Sequence, residues 1–571
     1  MTWEEYEKKL EPFGISTKDK EFLKKVFVFS SKIHEGEKRL SGDDYISHPV
    51  AVSLKLAELK MDANTIASGL LHDAVERSPE ALKQIRKQFG EEVAFLVDSV
   101  TKIAKIQAAG IDRALESVKK MFLALAEDVR VVVVKLADRA HNMETLEWLP
   151  KEKQERIARE TLSLYASLAE RLGMWNIKAQ LEDLSMKFLY PKEYEMISSE
   201  VKKRAPERER YLKRILSIME AELRKENIRN FEINYRAKHI YSIWQKLERY
   251  EGDWSRLSDL IALRVIVPDV KNCYSVLGII HKLWRPVPGK FRDYIALPKP
   301  NGYQSLHTSV FTEPRVIVEF QIRTPDMHKE AETGIAAHWA YTEAGKPKKG
   351  FKAVGKKFNW IGQLQNWQKE FQKEKPTAEE LLEALKIDFF KDRIFTLTPK
   401  GDVIDLPRGS TPLDFAYHIH SEIGNRASGS RVNGKLVPFT WELNSGDVVE
   451  IIMQKNKKPT PEWLAVVRTA LAKNRIRKAL RLSPKKSFIT IEAKLVEARI
   501  YGKNRVGFIK DITSVFARSR VNIQNLISAR SGNEEAPINL TFVARSKEEL
   551  EKIIKKLQAV PGVKKVNYSL K

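Results

Sequence analysis

Apolar positions recur at helical spacing through the first third of the chain, from residue 1 to about 190. Asp62 stands directly before one such run, residues 63–73, and is predicted to be the N-cap of that helix. The pattern therefore predicts an all-α domain over residues 1–195. A long charged helix is predicted to follow at about 205–250.

The pattern changes to two-residue alternation further along the chain. Residues 262–268 and 316–324 are predicted to be strands, with a helix at 271–284 between them. In the second strand one face would carry Val316, Val318, Phe320 and Ile322, and the other face Ile317, Glu319, Gln321 and Arg323. Polar side chains on one face of an apolar strand indicate a site rather than core. Residues 196–345 are therefore predicted to form a mixed α/β domain.

The rest of the chain divides into four further segments. Residues 346–390 read as a basic linker and residues 391–454 as a compact β-rich domain. Residues 455–486 form a basic helical segment. Residues 487–571 follow the order strand, helix, strand, strand, helix, strand, which is typical of a ferredoxin-like fold. The fold class is therefore multidomain, combining α and α+β domains, as a length of 571 residues allows.

Composition narrows the range of partners and compartments. The formal net charge of +25 indicates anionic partners such as nucleotides, RNA or the ribosome. Cys273 is the one cysteine, which excludes disulfides within the chain and cysteine-based zinc sites, and suits a reducing compartment. No apolar run approaches the ~20 residues of a membrane span, and charged residues follow Met1 closely. A cytoplasmic protein without membrane contact is expected.

Four metal-ligand side chains are spread over the helical domain: His48, His72, Asp73 and Asp138. Metal sites combine imidazole and carboxylate ligands from separate elements and leave a position for water. Two histidines with two aspartates suit Mn²⁺ or a similar ion, which would lower the pKa of a bound water and direct it at phosphorus. Asn142 follows Asp138 by four residues and shares its helical face.

A second group of polar residues surrounds the predicted strands. Lys238, Ser242 and Lys246 are spaced by four residues and would share one helix face that suits an extended polyphosphate, although a solvated charged face fits the same spacing. Asp259 precedes the first strand and, with Glu319, would hold Mg²⁺ and accept a proton from an attacking hydroxyl.

The helical set of ligands resembles that of the HD-domain phosphohydrolases. The flanking segments 41–49 and 134–143 are similar to the hydrolase domain of RelA/SpoT homologues. This resemblance implies that His48, His72, Asp73 and Asp138 hold the metal and that Glu76 acts in catalysis, with Arg39 and Asn142 binding substrate. Two positions depart from the family: Arg77 replaces the second residue of an acidic pair, and Leu40 replaces the second residue of a basic pair. Arg77 reverses a charge beside the expected nucleophile and puts hydrolysis in question.

Residues 236–341 closely resemble the synthetase domain of the same family, which has a nucleotidyltransferase-like fold. The resemblance implies transfer of pyrophosphate from ATP to the 3′-hydroxyl of GDP or GTP, giving (p)ppGpp. It also implies that Asp259 binds Mg²⁺, that Glu319 is the base or a second Mg²⁺ ligand, and that Tyr303 stacks on guanine. The remaining substrate contacts implied are Arg236, Lys238, Ser242, Lys246, Asn301, His307, Gln321 and Arg323.

Two further resemblances lie in the C-terminal third. Residues 395–420 resemble a TGS domain, which implies contact with uncharged tRNA through His418, although packing of a strand–helix corner explains this histidine equally well. The basic residues of 468–481 suit tRNA or ribosomal RNA, or simply form a solvated face. Residues 504–512 resemble the ligand- or partner-binding turn of ACT domains, which implies a small-molecule ligand or a dimer. The zinc-knuckle-like segment that long family members carry before the ACT domain is expected to be missing or to have lost its cysteines, since Cys273 is the one cysteine.

The residues leave three functions open. The first is a short RelA/SpoT-type enzyme that makes (p)ppGpp and, with Mn²⁺, also hydrolyses it. The second is a synthetase whose helical domain only binds metal and regulates, which Arg77 favours. The third is a ribosome- or tRNA-binding regulator without catalysis, which the charge favours and an intact Asp259, Tyr303 and Glu319 disfavour.

Overall fold

The computed structural model describes residues 1–107, 127–254, 261–299, 301–313, 316–335, 393–481 and 494–570, the last range with gaps at 503–504, 506, 520, 522, 529–537 and 545–546. The predicted linker over 346–390 and Asp259 lie outside the described residues. The described residues divide into two compact units, one within residues 1–480 and the other within residues 481–571.

The N-terminal third is helical, as predicted. Its helices are α1 (Trp3–Leu10), α2 (Thr17–Ile33), α3 (Ser47–Glu58), α4 (Ala63–Leu71), α5 (Ala74–Arg77), α6 (Ala81–Phe89), α7 (Glu91–Gln107), α8 (Val129–Glu144), α9 (Lys151–Glu160), α10 (Ala166–Arg171) and α11 (Trp175–Leu189). Short 3₁₀ turns cover Glu11–Phe13 and Leu146–Trp148, and a π-helical turn covers Thr161–Tyr165.

Helix α8 lies at the centre of this bundle. Its four consecutive valines, Val131 to Val134, are all fully buried, and α3, α4, α7 and α11 pack around it. Helix α4 begins where the sequence predicts, because the side chain of Asp62 accepts a hydrogen bond of 2.8 Å from the backbone N–H of Thr65. These local signals place His48, His72 and Asp138 on helices that meet in the core.

The prediction of one long helix over about 205–250 is wrong at both ends. Helix α12 spans Pro191–Lys225 and ends before Asn227, which adopts a left-handed conformation with φ 62°. Strand β1 (Glu232–Ala237) and the short helix α13 (Ile240–Arg249) follow. The charged residues of β1 conceal its alternation, and pairing with a neighbouring strand decides its conformation.

A mixed sheet forms the central domain. Its further elements are β2 (Ile261–Ile266), α14 (Val270–Leu283), β3 (Arg285–Pro286), β4 (Arg292–Asp293), β5 (Leu306–Glu313), β6 (Val316–Arg323) and α15 (Pro325–Thr333). The strand order is β1-β2-β6-β5-β3, and β4 pairs with β5. Strands β2 and β6 are parallel, so α14 forms part of the crossover between them. Val318, Phe320 and Ile322 of β6 point into the core, as the alternation predicts.

Two small β-containing regions follow. The first has β7 (Arg393–Leu397), β8 (Val403–Pro407), α16 (Pro412–Ile419), α17 (Ser421–Asn425), β9 (Ala427–Val432), β10 (Lys435–Val437) and β11 (Val449–Met453), then α18 (Trp463–Val466) and α19 (Ala470–Ala479). The second has β12 (Lys494–Gly502), α20 (Phe508–Ser519), β13 (Ile523–Ser528), β14 (Ile538–Ala544), α21 (Lys547–Gln558) and β15 (Val563–Leu570), with sheet order β13-β14-β12-β15. The predicted fold class is thus confirmed. Among the helices of the described ranges, none has the length and apolarity to span a membrane.

Candidate metal centre and nucleotide sites

Three of the four predicted metal ligands converge in the core of the helical domain. His48 in the first turn of α3, His72 at the end of α4 and Asp138 in α8 each offer one ligand atom, and these atoms lie within 4.8 Å of one another. Nε2 of His48 is 3.2 Å from Nε2 of His72 and 3.2 Å from Oδ1 of Asp138. All three residues are buried, so the cluster is held rigidly.

The fourth predicted ligand, Asp73, lies against both histidines. Its Oδ1 is 3.2 Å from Nε2 of His72, and its Oδ2 is 3.6 Å from Nε2 of His48. Nδ1 of His72 donates to the carbonyl oxygen of Gly69 at 2.8 Å, which leaves the lone pair of Nε2 directed into the cluster. Ligand atoms around one ion at about 2.1 Å are themselves about 3 Å apart, so this donor set fits a divalent metal.

The electrostatics of the cluster favour a cation. Burial by itself would lower the pKa of His72, but Asp73 and Asp138 raise it to about 9. Burial opposes ionisation of Asp138, yet Lys135 and the two histidines hold the pKa of Asp138 well below its usual range. The histidines also lower the pKa of Asp73, so both carboxylates remain charged, and a proton on His72 or a divalent metal compensates them.

Further side chains orient these ligands. Lys135 Nζ donates to Oδ2 of Asp138 at 2.7 Å, and Asn142 Nδ2 donates to Oδ1 of the same residue at 2.6 Å. Nδ1 of His48 lies 2.8 Å from Nδ1 of His141. Burial, with the neighbouring His48 and Arg39, lowers the pKa of His141 to about 3, so its ring is neutral and accepts this hydrogen bond. Such partners orient metal-binding imidazoles in proteins.

Glu76 and Arg77 occupy helix α5, directly after Asp73. Desolvation and the charge of Asp73 raise the pKa of Glu76, although its side chain reaches solvent. Arg77 pairs with Glu37, with Nε 3.2 Å from Oε2, and its guanidinium lies 5.0 Å from the centre of the Tyr45 ring. The positive charge of Arg77 is the feature of the sequence that puts hydrolysis in question. Its ion pair with Glu37 partly offsets that charge.

A cavity of about 520 Å³ opens beside Asp138. Arg39 and Asn142, both predicted to bind substrate, line it together with Tyr45. The other residues that line the cavity are Lys38, Leu40, Ser41, Lys135, Arg139, Thr145, Leu146, Trp148, Leu149, Arg156, Ile157 and Glu160. Sequence reasoning missed Lys135, Arg139 and Arg156. Cations inside an otherwise apolar helix are the signal that would have found Lys135 and Arg139, whereas Arg156 lies on a charged helix that gives no such signal.

The central site is built around Glu319 on β6. His307 on the adjacent β5 places Nδ1 3.3 Å from Oε1 of Glu319, and Lys238 Nζ is 3.9 Å from Oε2. Burial alone would raise the pKa of Glu319, but His307 and Lys238 hold it far below its usual range. Glu319 and His307 line a cavity of about 220 Å³ that also carries Lys290 and Arg292. A carboxylate ionised at neutral pH beside several cations suits a metal-assisted phosphate site.

Tyr303 is only 7% exposed in this conformation. Its hydroxyl lies 2.7 Å from Nε2 of His307 and accepts a hydrogen bond of 3.1 Å from Arg323, which is itself buried. The ring meets the ring of Trp175 edge to face, with centroids 6.4 Å apart, and Lys299 Nζ lies 5.1 Å from its centre. A base would stack on Tyr303 only after one of these neighbours moves.

The other predicted substrate contacts are distributed around this site. Gln321 donates to Glu319 at 3.0 Å, and Asn301 donates to the carbonyl oxygen of Glu170 at 3.2 Å. Ser242 and Lys246 lie on α13, whereas Lys238 precedes that helix, so the three do not share one helix face. Arg236 lies in β1, and Asp259 lies outside the described residues.

Four parts of the chain match known protein families. Residues 27–175 match the HD domain, 235–346 the region found in RelA and SpoT proteins, 393–453 the TGS domain and 493–567 the ACT domain. The fold and its sites thus define a helical HD domain, whose buried cluster could hold a metal, joined to a mixed α/β synthetase-like domain, a TGS domain and an ACT domain.

Three relatives specify the family. The chain is 43% identical, over 93% of its own length and 75% of the relative's, to a protein of Aquifex aeolicus named guanosine-3′,5′-bis(diphosphate) 3′-pyrophosphohydrolase. It is 40% identical to the bifunctional (p)ppGpp synthase/hydrolase SpoT of Escherichia coli, over 85% and 68% of the two chains. It is 43% identical to a GTP pyrophosphokinase of Myxococcus xanthus, over 84% and 63%. The chain spans between 63% and 75% of the length of these relatives. It belongs to the RelA/SpoT family, as its motifs predict.

Proposed function

We propose that this protein both makes and hydrolyses (p)ppGpp, transferring pyrophosphate from ATP to the 3′-hydroxyl of GDP or GTP at Glu319 and removing it at the HD centre. The observation that carries the proposal is the buried cluster of His48, His72 and Asp138, with Asp73 against both histidines, beside a cavity lined by cations. A guanosine tetraphosphate is polyanionic and needs such a lining. The expected compartment is the cytoplasm, where these nucleotides occur.

For hydrolysis, His48, His72, Asp73 and Asp138 would hold Mn²⁺, which when bound supplies an activated water at neutral pH. Glu76, with its raised pKa, is suited to take a proton from that water. Arg39 and Asn142 line the cavity and bind the nucleotide. Lys135 and Asn142 hold both oxygens of Asp138, which keeps that carboxylate in one orientation.

For synthesis, Glu319 with Asp259 would hold Mg²⁺, which neutralises charge on the transferred phosphates. Glu319 stays ionised and is suited to accept the proton of the 3′-hydroxyl. Lys238, Ser242, Lys246 and Arg236 would contact the ATP phosphates. His307 contacts both Glu319 and Tyr303, so binding of guanine at Tyr303 would alter the surroundings of the Glu319 carboxylate.

The basic segment of α19 is the proposed contact for RNA. Both oxygens of the buried Asp414 accept hydrogen bonds from the backbone of Arg468 and Oδ1 also accepts one from Thr469, which fixes the start of this helix against α16. Burial, with the nearby Arg393, lowers the pKa of His418 to about 4, so this ring is neutral. Cations on a rigid helix suit the phosphates of tRNA or ribosomal RNA. The ACT-like unit would bind a small molecule or a second copy of the chain.

The experiment that tests the proposed activities uses the full chain with ppGpp and Mn²⁺ and without ATP. Release of GDP and pyrophosphate supports hydrolysis, and formation of ppGpp from ATP and GDP with Mg²⁺ supports synthesis. Synthesis without any release would leave a synthetase whose HD domain only binds metal. If neither reaction is observed, the remaining function is that of an RNA-binding regulator without catalysis.

The cavity beside Asp138 gives a first prediction. Arg156→Ala is expected to raise the KM for ppGpp hydrolysis about tenfold with kcat little changed, because a charge-assisted contact to phosphate is lost but the metal ligands remain. Initial rates over a range of ppGpp concentrations measure this. Arg159→Ala is the matched control, since Arg159 lies on the same helix but does not line the cavity. An equal effect of both substitutions would show that general charge, not a contact, is measured.

A further inference from the structure

The loop between α2 and α3 joins the metal centre to the cavity. The backbone N–H of Tyr45 donates to the carbonyl oxygen of Glu37 at 3.0 Å, and that of Arg39 donates to Asp43 at 2.8 Å. Glu37 and Tyr45 therefore lie side by side at the base of the loop. Arg39, Leu40 and Ser41 at its tip line the cavity, as does Tyr45. Any group that fixes the base of the loop also fixes this wall.

Arg77 contacts both residues at the base. Its Nε is 3.2 Å from Oε2 of Glu37, and its guanidinium lies over the Tyr45 ring at 5.0 Å. The buried His34 completes the set, with Nδ1 3.1 Å from Oε2 of Glu37 and its ring stacked on that of Tyr45 at 4.8 Å. The tyrosine ring is thus oriented by a cation, an imidazole and its own backbone pairing.

The hydroxyl of Tyr45 acts directly on a metal ligand. It donates to Oδ2 of Asp73 at 2.8 Å, which leaves Oδ1 beside Nε2 of His72 at 3.2 Å. Burial and the neighbouring Asp73 raise the pKa of Tyr45, so the phenol keeps the proton that it donates. A carboxylate that is held at one oxygen presents the other in a fixed direction.

We propose that Arg77 is a positioning residue of the metal centre, which acts through Glu37 and Tyr45 to hold Asp73 in its ligating orientation. The inference deepens the proposed hydrolysis and assigns a role to the residue that departs from the family's acidic pair. On this proposal Glu76 serves alone as the base, and Arg77 acts on Oδ2 of Asp73 through Tyr45.

Binding of Mn²⁺ alone, measured by calorimetry on the full chain, tests this role. The Glu319→Gln background removes a ligand of the second metal site, and Asp138→Asn in that background shows how much heat the HD centre contributes. Arg77→Ala is expected to weaken Mn²⁺ binding about tenfold or more, the range for loss of a residue that orients a metal ligand. Tyr45→Phe, which removes only the hydroxyl, is expected to weaken it similarly, and the double variant no further, since both act along one path.

The control is Arg86→Ala, which breaks an ion pair with Glu91 in the same domain at a similar exposure, 49% against 46% for Arg77. Its Mn²⁺ affinity should match that of the unsubstituted chain. The electron paramagnetic resonance spectrum of bound Mn²⁺ should change in Arg77→Ala and Tyr45→Phe and stay unchanged in Arg86→Ala, which separates positioning from a general loss of stability.

Arg77→Asp distinguishes this role from that of a degraded base. If Arg77 positions Tyr45, an aspartate facing Glu37 will weaken Mn²⁺ binding and slow hydrolysis of ppGpp. Normal Mn²⁺ affinity in Arg77→Ala, or faster hydrolysis in Arg77→Asp, would overturn the proposal. The metal readout needs no turnover, so a chain that binds Mn²⁺ but hydrolyses no ppGpp would refute the proposed hydrolysis without touching this result.

Discussion

Glu319→Gln is expected to reduce synthesis of ppGpp from ATP and GDP by about 10²–10⁴-fold, the range for loss of a general base, and to leave hydrolysis of ppGpp unchanged. The amide keeps the size of the side chain but removes the charge that the neighbouring His307 and Lys238 stabilise. It can neither accept a proton efficiently nor neutralise a divalent ion. Steady-state assays of both reactions on one preparation measure the effect.

The control for this variant is Glu226→Gln. Glu226 lies in the same domain and binds Lys282 at 3.0 Å on the surface. Its removal should leave synthesis within about twofold of the unsubstituted rate, as for most surface substitutions. Full synthesis by Glu319→Gln would contradict the assignment of the central site, whereas loss of both activities would indicate a defect in folding.

Asp138→Asn is expected to show the reverse separation. It should reduce Mn²⁺-dependent hydrolysis by more than about 100-fold and leave synthesis unchanged. Loss of a residue that only orients a ligand costs up to about 100-fold, and Asp138 is expected to be a ligand itself. The physical reason is the position of Asp138: its Oδ1 lies 3.2 Å from His48 and 3.7 Å from His72, so it faces both imidazoles at once. The loss of one negative charge there also weakens the attraction for a cation.

Asp98→Asn serves as the matched control, since Asp98 lies in the same helical domain and pairs at 2.6 Å with Lys102 on α7. Hydrolysis measured from release of pyrophosphate should be unaffected by this change. If Asp138→Asn retains hydrolysis, or if it loses synthesis to the same degree, the HD centre is not an independent active site.

The two expected results together would define a molecule with two separable reactions. Contacts nonetheless connect the two domains, because α11 also packs against α8, the helix that carries Asp138. Helix α11 touches Tyr303 through Trp175, and its Glu182 lies 2.8 Å from His239, which in turn contacts Ser242 at 2.8 Å. Helix α11 therefore reaches both the residue expected to stack on guanine and a residue expected to bind ATP phosphate. Separate loss of the two activities would show that the chemistry of each site is local even though the domains are packed together.

Much of this architecture followed from local patterns in the sequence. The N-cap at Asp62, the crossover helix α14 and the alternation of β6 depend on residues within a few positions of one another, which is why they were predictable. The ligand set His48, His72, Asp73 and Asp138 was predictable too, because few other arrangements use these residue types in this order. The end of α12 and the strand β1 were missed, since the partner of β1 lies about 30 residues further along the chain.

The sequence by itself determined the fold class, the family and the candidate metal ligands, because periodicity and residue chemistry are local properties. Only the tertiary structure decided what those residues face. In that structure Lys135, Arg139 and Arg156 line one cavity. The ring of Trp175 meets the ring of Tyr303, and Arg77 contacts Glu37 and Tyr45. Each of these contacts joins positions that are distant in the chain or outside any periodic pattern, and packing of the hydrophobic core, rather than local preference, brings them together.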